Sequence, residues 1–236
     1  GMDELNAVFL PEGKEVFSTL HRRGMDFTMV HMREVNGRWT EPEVALFSGE
    51  YSDVDPAVSP DGERVYYCSN RPRSGSGAPE ADFDIWYVEK TTSGWSEPVN
   101  AGAPINSEAD EFYPSFTEEG TMYFQSRREG CIGLTDIYRA ERVDGKYEKA
   151  ECLPDTINTP GFEGDAFIAP DESYLIVSTR REVSHGHADL YISFRAEDGS
   201  WSPLENMGEA VNSDGGENCQ MLSPCGKYLF YTSRRF

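Results

Sequence analysis

One phrase recurs five times along this chain, and it constrains the fold more than any single motif does. An acidic residue opens an apolar strand, a turn of the Pro-Asp-Gly type follows, a second apolar strand runs back, and an arginine ends it. The versions read EYSDVDPAVSPDGERVYYCSNR at 50–71, EFYPSFTEEGTMYFQSRR at 111–128, EGDAFIAPDESYLIVSTRR at 163–181 and ENCQMLSPCGKYLFYTSRR at 217–235. ELNAVFLPEGKEVFSTLHR at 4–22 is the most eroded copy. Aligned on the third turn residue (Gly13, Gly62, Gly120, Glu172, Gly226), the copies follow one another after 49, 58, 52 and 54 residues. Such a step holds four short strands and their turns, the content of one propeller blade.

Within a repeat the four strands can be told apart. The run before the turn is strand A and the run after it is strand B. Strand C carries Asp-Ile-Trp-Tyr from Asp84, Asp-Ile-Tyr from Asp136 and Asp-Leu-Tyr from Asp189, with a weaker copy at Asp26-Phe27. Strand D starts at a glycine and an aromatic: Gly37/Trp39, Gly94/Trp95, Gly145/Tyr147, Gly199/Trp201. In three repeats a proline follows. Proline has no N–H for a ladder, so strand D belongs at an edge. A loop then returns through Ala-Pro-Ile-Asn, Asp-Thr-Ile-Asn or Glu-Ala-Val-Asn to the next strand A. The fold expected is all-β, a single β-propeller over residues 1–236 with repeats at about 4–52, 53–110, 111–162, 163–216 and 217–236. The fifth repeat stops after strand B, so the fifth blade is expected to be incomplete here, with the natural chain continuing past Phe236.

Composition agrees. Twelve Tyr, thirteen Phe and four Trp suit strands, and 22 Gly with 14 Pro suit many turns. A net charge of −21 argues against nucleic-acid binding, which needs a cationic surface to displace counterions. No apolar run is long enough for a transmembrane helix, and no signal peptide is visible. The five cysteines are odd in number and lack a C-x-x-C pair, so neither a disulfide framework nor a zinc site is expected.

Ser-Pro-Asp-Gly, an aromatic strand, Ser-Asn-Arg, Asp-Ile-Trp and Gly-Trp-Ser-Glu-Pro together resemble the WD40-like (PD40) repeats of the TolB family and related bacterial envelope proteins. The resemblance covers nearly the whole chain. It implies a propeller, a periplasmic or secreted location and a protein-binding platform; it does not imply a reaction. TolB's extra N-terminal domain has no counterpart here, so TolB's particular partners are not carried over.

The meander places the recurrent charges on one face: the acids Glu4, Asp53, Glu111, Glu163 and Glu217 opening strand A, the arginines Arg22, Arg71, Arg128, Arg181 and Arg235 ending strand B, and Asp26, Asp84, Asp136 and Asp189 opening strand C. Arginine and the strand-C aspartate are expected to fasten each B–C loop bidentately. The strand-A acids would ring one mouth of the channel, either satisfied internally or holding a cation or a protein or peptide segment. Oxygen ligands would favour calcium or magnesium. His185 and His187 are a weak metal pair. No G-x-S-x-G elbow, P-loop or dinucleotide fingerprint is present. The function expected is a non-enzymatic binding platform, with no catalytic residue assigned and a monomer favoured; the alternative is a carbohydrate-active hydrolase using two carboxylates at the same mouth.

Overall fold

The computed structural model describes residues 2–22, 24 and 26–234, without the side chains of residues 2–4 and Arg22. All its regular elements are strands. The first sheet comprises β1 (Met2–Phe9), β2 (Glu15–Arg22), β3 (Thr28–Val35), β4 (Arg38–Trp39) and β5 (Glu43–Val44). The second comprises β6 (Asp53–Val58), β7 (Arg64–Ser69), β8 (Asp84–Thr91), β9 (Gly94–Trp95) and β10 (Val99–Asn100). The third has β11 (Glu111–Phe116), β12 (Met122–Ser126), β13 (Asp136–Ala140) and β16 (Glu151–Cys152), with a side hairpin of β14 (Arg142–Val143) and β15 (Lys146–Tyr147). The fourth has β17 (Glu163–Ile168), β18 (Tyr174–Thr179), β19 (Asp189–Phe194) and β20 (Glu205–Asn206). The last has β21 (Glu217–Leu222) and β22 (Leu229–Ser233).

Every ladder is antiparallel, so the architecture is the expected propeller: four complete blades and a two-stranded fifth sheet. The first strands of the sheets touch in turn, β1 to β6, β6 to β11, β11 to β17, β17 to β21 and β21 back to β1. Strand D differs from its expected course. The aromatic piece turns back as a short arm, on strand C in the first, second and fourth blades and on β14 in the third, and the true outer strand is a separate two-residue piece beyond it: β5, β10, β16 or β20. In three blades proline interrupts the ladder between the two pieces, as a residue without an N–H must.

The core lies between blades. Phe17, Met29 and Phe47 of the first pack on Val65, Tyr67, Trp86 and Val88 of the second. Tyr66, Cys68 and Ile85 meet Met122, Phe124 and Tyr138. Tyr123 and Ile137 meet Ala166, Leu175, Val177 and Tyr191. Strands packed on both faces need apolar residues at successive positions, which is why strand B reads Val-Tyr-Tyr-Cys or Met-Tyr-Phe-Gln rather than alternating.

Each first strand carries a bulge at the same place. There Asn6, Asp55, Tyr113, Asp165 and Cys219 have φ of 44°, 55°, 53°, 49° and 55°. Five non-glycine residues in the left-handed region, one per sheet, bend every inner strand at the channel axis.

Candidate functional site

The described acids that open the first strands are bonded within their own blades. Asp53, Glu111, Glu163 and Glu217 are completely buried. Glu111 accepts from the Ser107 amide (2.9 Å) and hydroxyl (2.6 Å), the Ser126 hydroxyl (2.7 Å) and Arg128 (3.0 Å). Glu163 repeats this with Thr159, Thr179 and Arg181. Glu217 accepts from Ser213 and Ser233. Asp53 takes Arg71 at 2.9 Å and Ser48 at 2.8 Å. Burial pushes the carboxyls of Asp53, Glu111 and Glu163 up, against the lowering effect of these partners. A cation or peptide at that mouth would have to displace these bonds. The side chains of Glu4 and Arg22, and Arg235 altogether, lie outside the described residues.

The arginine that ends strand B therefore pairs with the acid that opens strand A, not with the aspartate of strand C as the sequence suggested. Each arginine also donates to a carbonyl in the loop entering strand A: Arg71 to Phe47, Arg128 to Ile105 and Arg181 to Ile157. Arg71 lies over the rings of Tyr51, Tyr67 and Trp86, and Arg128 over Phe124 and Tyr138. The strand-C aspartates hold loops instead. Asp136 accepts from the amides of Ile132 and Gly133, Asp189 from those of His185 and Gly186, and Asp84 from Arg73. Asp26 is exposed. The recurrent asparagine is a further fastener that sequence reasoning passed over. The Oδ1 atoms of Asn106, Asn158 and Asn212 accept from the amides of Ile85, Ile137 and Leu190.

At the bulge ring the blades are bonded to one another. The Cys219 amide donates to Asp165 at 3.0 Å, the Tyr113 backbone lowers the Asp55 carboxyl, and the Asn6 backbone lowers the Cys219 thiol. The Tyr113 hydroxyl donates to the Gln220 carbonyl at 2.7 Å. Burial, together with the charge of Asp165, pushes the Asp55 carboxyl up to about 8.

Beyond this ring the channel opens. At the turn end of the first strands lies a cavity of about 390 Å³, lined by all five sheets. Its walls are Val8, Phe9, Phe116, Phe167, Tyr174 and Met221, with prolines from every sheet, among them Pro11, Pro56, Pro114, Pro170 and Pro224; Asn6, Tyr113 and Gln220 also line it. The turns around it carry exposed Glu12, Asp61, Glu63, Glu118, Glu119 and Asp171, against exposed Lys14 and Lys227. Hydroxyls of Ser59 and Ser173 hold the Asp61 and Asp171 carboxyls below their usual range. The mouth is therefore an apolar cup with an anionic rim.

Cys131 and Cys152 form a disulfide, contrary to the expectation from sequence. The B–C loop of the third blade folds back over β16 and brings their Cα atoms to 5.9 Å. Cys68 and Cys219 are free and buried. Among the described residues no group of three His, Cys, Asp or Glu side chains is placed to hold a metal, and no helix is long and apolar enough to cross a membrane.

No protein-family profile matches the chain, and no curated protein matches it significantly. Solved structures do. TolB from Acinetobacter baumannii aligns with a TM-score of 0.59 at 16% identity, over 96% of this chain and 48% of that one. An α-L-arabinofuranosidase from Lactobacillus brevis gives 0.60 at 12%, over 94% and 81%. A puromycin-hydrolysing peptidase from Mycobacterium tuberculosis gives 0.55 at 11%, over 88% and 30%. At these identities the likeness is one of fold: a β-propeller of the kind found in TolB. The chain spans about half the length of the Acinetobacter protein.

Proposed function

We propose that this propeller is a binding platform for a segment of a basic protein or peptide, and that the turn-side mouth of the channel receives it. The apolar cavity carries the reading. Its volume of about 390 Å³ suits one bulky side chain, and the anionic rim suits lysines or arginines on either side of it. The opposite mouth offers less, because its described acids are spent on internal bonds. The Cys131–Cys152 bond supports an oxidising compartment, periplasmic or secreted. A net charge of −21 supports a monomer.

A second reading, a carbohydrate-active hydrolase, draws on the buried carboxyls of Asp55 and Asp165 in the channel, the first pushed up to about 8 by burial and by the charge of the second. Asp165 is held by the Cys219 amide, and neither carboxyl lines the cavity, so binding is favoured.

Calorimetry with a lysine-rich peptide carrying one central tryptophan tests the platform. We expect salt-sensitive binding, weakened about tenfold by Glu118→Lys with Glu119→Lys, the size of a modest electrostatic effect. Absence of heat with this peptide would count against the reading; release of sugar from arabino-oligosaccharides, lost in Asp55→Asn, would favour the hydrolase.

A further inference from the structure

Asp55 and Asp165 differ from the acids that open the first strands. Asp53, Glu111 and Glu163 each have an arginine, at 2.9, 3.0 and 3.5 Å. Among the described residues no cation acts on the carboxyl of Asp55 or Asp165. The ionisable groups gathered around them are the Tyr113 phenol and the Cys68 and Cys219 thiols, all acids, and burial pushes each of these up, so that they stay neutral. The channel core therefore holds two like-signed groups and no counter-charge.

This pair stands next to the inner end of the apolar cavity. Asn6, Tyr113 and Gln220 line that end, and the same three residues hold the pair. The Asn6 side chain and the Tyr113 backbone lower the Asp55 carboxyl, and Gln220 Nε2 donates to the Asp165 carbonyl. Their protons are committed. Tyr113 gives its hydroxyl proton to the Gln220 carbonyl at 2.7 Å, and Gln220 Nε2 donates to the carbonyls of Asp165 and Ile176. What Tyr113 and Gln220 keep is lone pairs, on the phenolic oxygen and on Oε1, the latter without a partner among the described residues. Phe9, Phe116, Phe167 and Tyr174 add aromatic faces to the walls. Such an end accepts and does not donate, it is backed by two carboxyls, and its rim is anionic.

We infer, on the reading of the turn-side mouth as the site of a basic segment, that the cavity seats the guanidinium head of an arginine side chain, which supplies the counter-charge that Asp55 and Asp165 lack. A guanidinium has five N–H donors and no acceptor, and it stacks on aromatic rings. It acts on the pair across a single layer of residues, where little water screens it. Lysine fits less well, because its compact ammonium is strongly hydrated and loses more among apolar walls. A neutral aromatic side chain fills the volume but leaves the carboxyls uncompensated.

The probes are three peptides, Gly-Ser-Gly-X-Gly-Ser-Gly with arginine, citrulline or tryptophan at X, titrated calorimetrically into the full chain at low salt. Citrulline keeps the length and shape of arginine without its charge. The titrations are run just above the value of about 8 to which the Asp55 carboxyl is pushed. The arginine peptide should bind about tenfold more tightly than either of the others. In Asp55→Asn its advantage over citrulline should shrink to about threefold or less. The comparison of peptides uses unmodified protein and stands even where that variant misfolds. A citrulline or tryptophan peptide that binds as tightly as the arginine one, an advantage unchanged in Asp55→Asn, or no binding of the arginine peptide would each overturn the inference. Heat with the lysine-rich tryptophan peptide would in those cases leave the platform standing, and its absence would remove both.

Discussion

Asp165 lies close enough to Asp55 in the channel core that its charge adds to burial in keeping the Asp55 carboxyl protonated, to about 8. The Asp165 carboxyl is itself raised, by burial. Both folded-state values lie above the unfolded one, so between pH 4 and pH 8 the native state binds more protons than the unfolded chain. Stability contributed by this pair is therefore full at low pH and falls as pH rises through that window. Asp55→Asn keeps the shape and a carbonyl acceptor of the side chain and cannot ionise. It should stabilise the protein at pH 8 by on the order of 2 kcal/mol and have little effect at pH 4. Urea denaturation of both proteins at the two pH values checks this. Equal changes at both would show that the pair does not titrate as described.

Arg71 is the most enclosed of the blade arginines, held between a wholly buried Asp53 and three aromatic rings. Arg71→Ala leaves a buried carboxylate without its counter-charge, a change that costs about 3–5 kcal/mol. Adding Asp53→Asn should recover part of the loss, because the stranded charge goes with it. Denaturation midpoints of the single and double variants measure the coupling. A single-variant cost below about 1 kcal/mol, the worth of an exposed pair, would mean the bond is not a fastener.

The repeat made the blades legible because burial on both faces forces the same residue types into each copy. It concealed the partner of each arginine, since the acids of strands A and C are equally plausible from sequence spacing. One signal could have decided it: a hydroxyl four residues before the acid, at Ser107, Thr159 and Ser213, recurs with it. The bulge ring was invisible for the opposite reason. Asn6, Asp55, Tyr113, Asp165 and Cys219 share a backbone state but no chemistry, so no pattern picks them out. The disulfide depends on how one loop folds over β16, which spacing does not encode.

Gly133 and Gly186 occupy matching places in the B–C loops of the third and fourth blades, each pressed on the loop that enters the next first strand. A Cβ on Gly133 would collide with the carbonyls of Thr159 and Gly161, and one on Gly186 with those of Gly215 and Ser213. Backbone on both sides cannot yield as a side chain would. Gly133→Ala should cost about 2–4 kcal/mol, in the range of overpacking, and Gly130→Ala serves as a control because its Cβ meets only space. Since Gly130 has a φ of 99°, some loss is expected there too, smaller than at Gly133. Thermal melts of the two variants give the order directly.

Glu172 stands where the other turns carry glycine, and its φ of 60° is the left-handed one. Glycine would relieve roughly 1 kcal/mol of that strain. The carboxylate is kept because it ties three groups together: Arg139 at 2.8 Å, the Tyr123 hydroxyl at 2.7 Å, and Arg195. Burial alone would raise its pKa, but these partners outweigh it and the value is lowered. A depressed folded value means that the stability it contributes is present above pH 4.5 and is lost as pH falls below it. Two charged bonds and one hydroxyl bond exceed the backbone relief, so Glu172→Gly should destabilise the protein at pH 7, by about 1–3 kcal/mol net. The same substitution should approach neutrality near pH 3, where the wild-type carboxylate is itself being protonated. Chemical denaturation at both pH values distinguishes this from a simple turn preference, under which glycine would be the more stable residue at either.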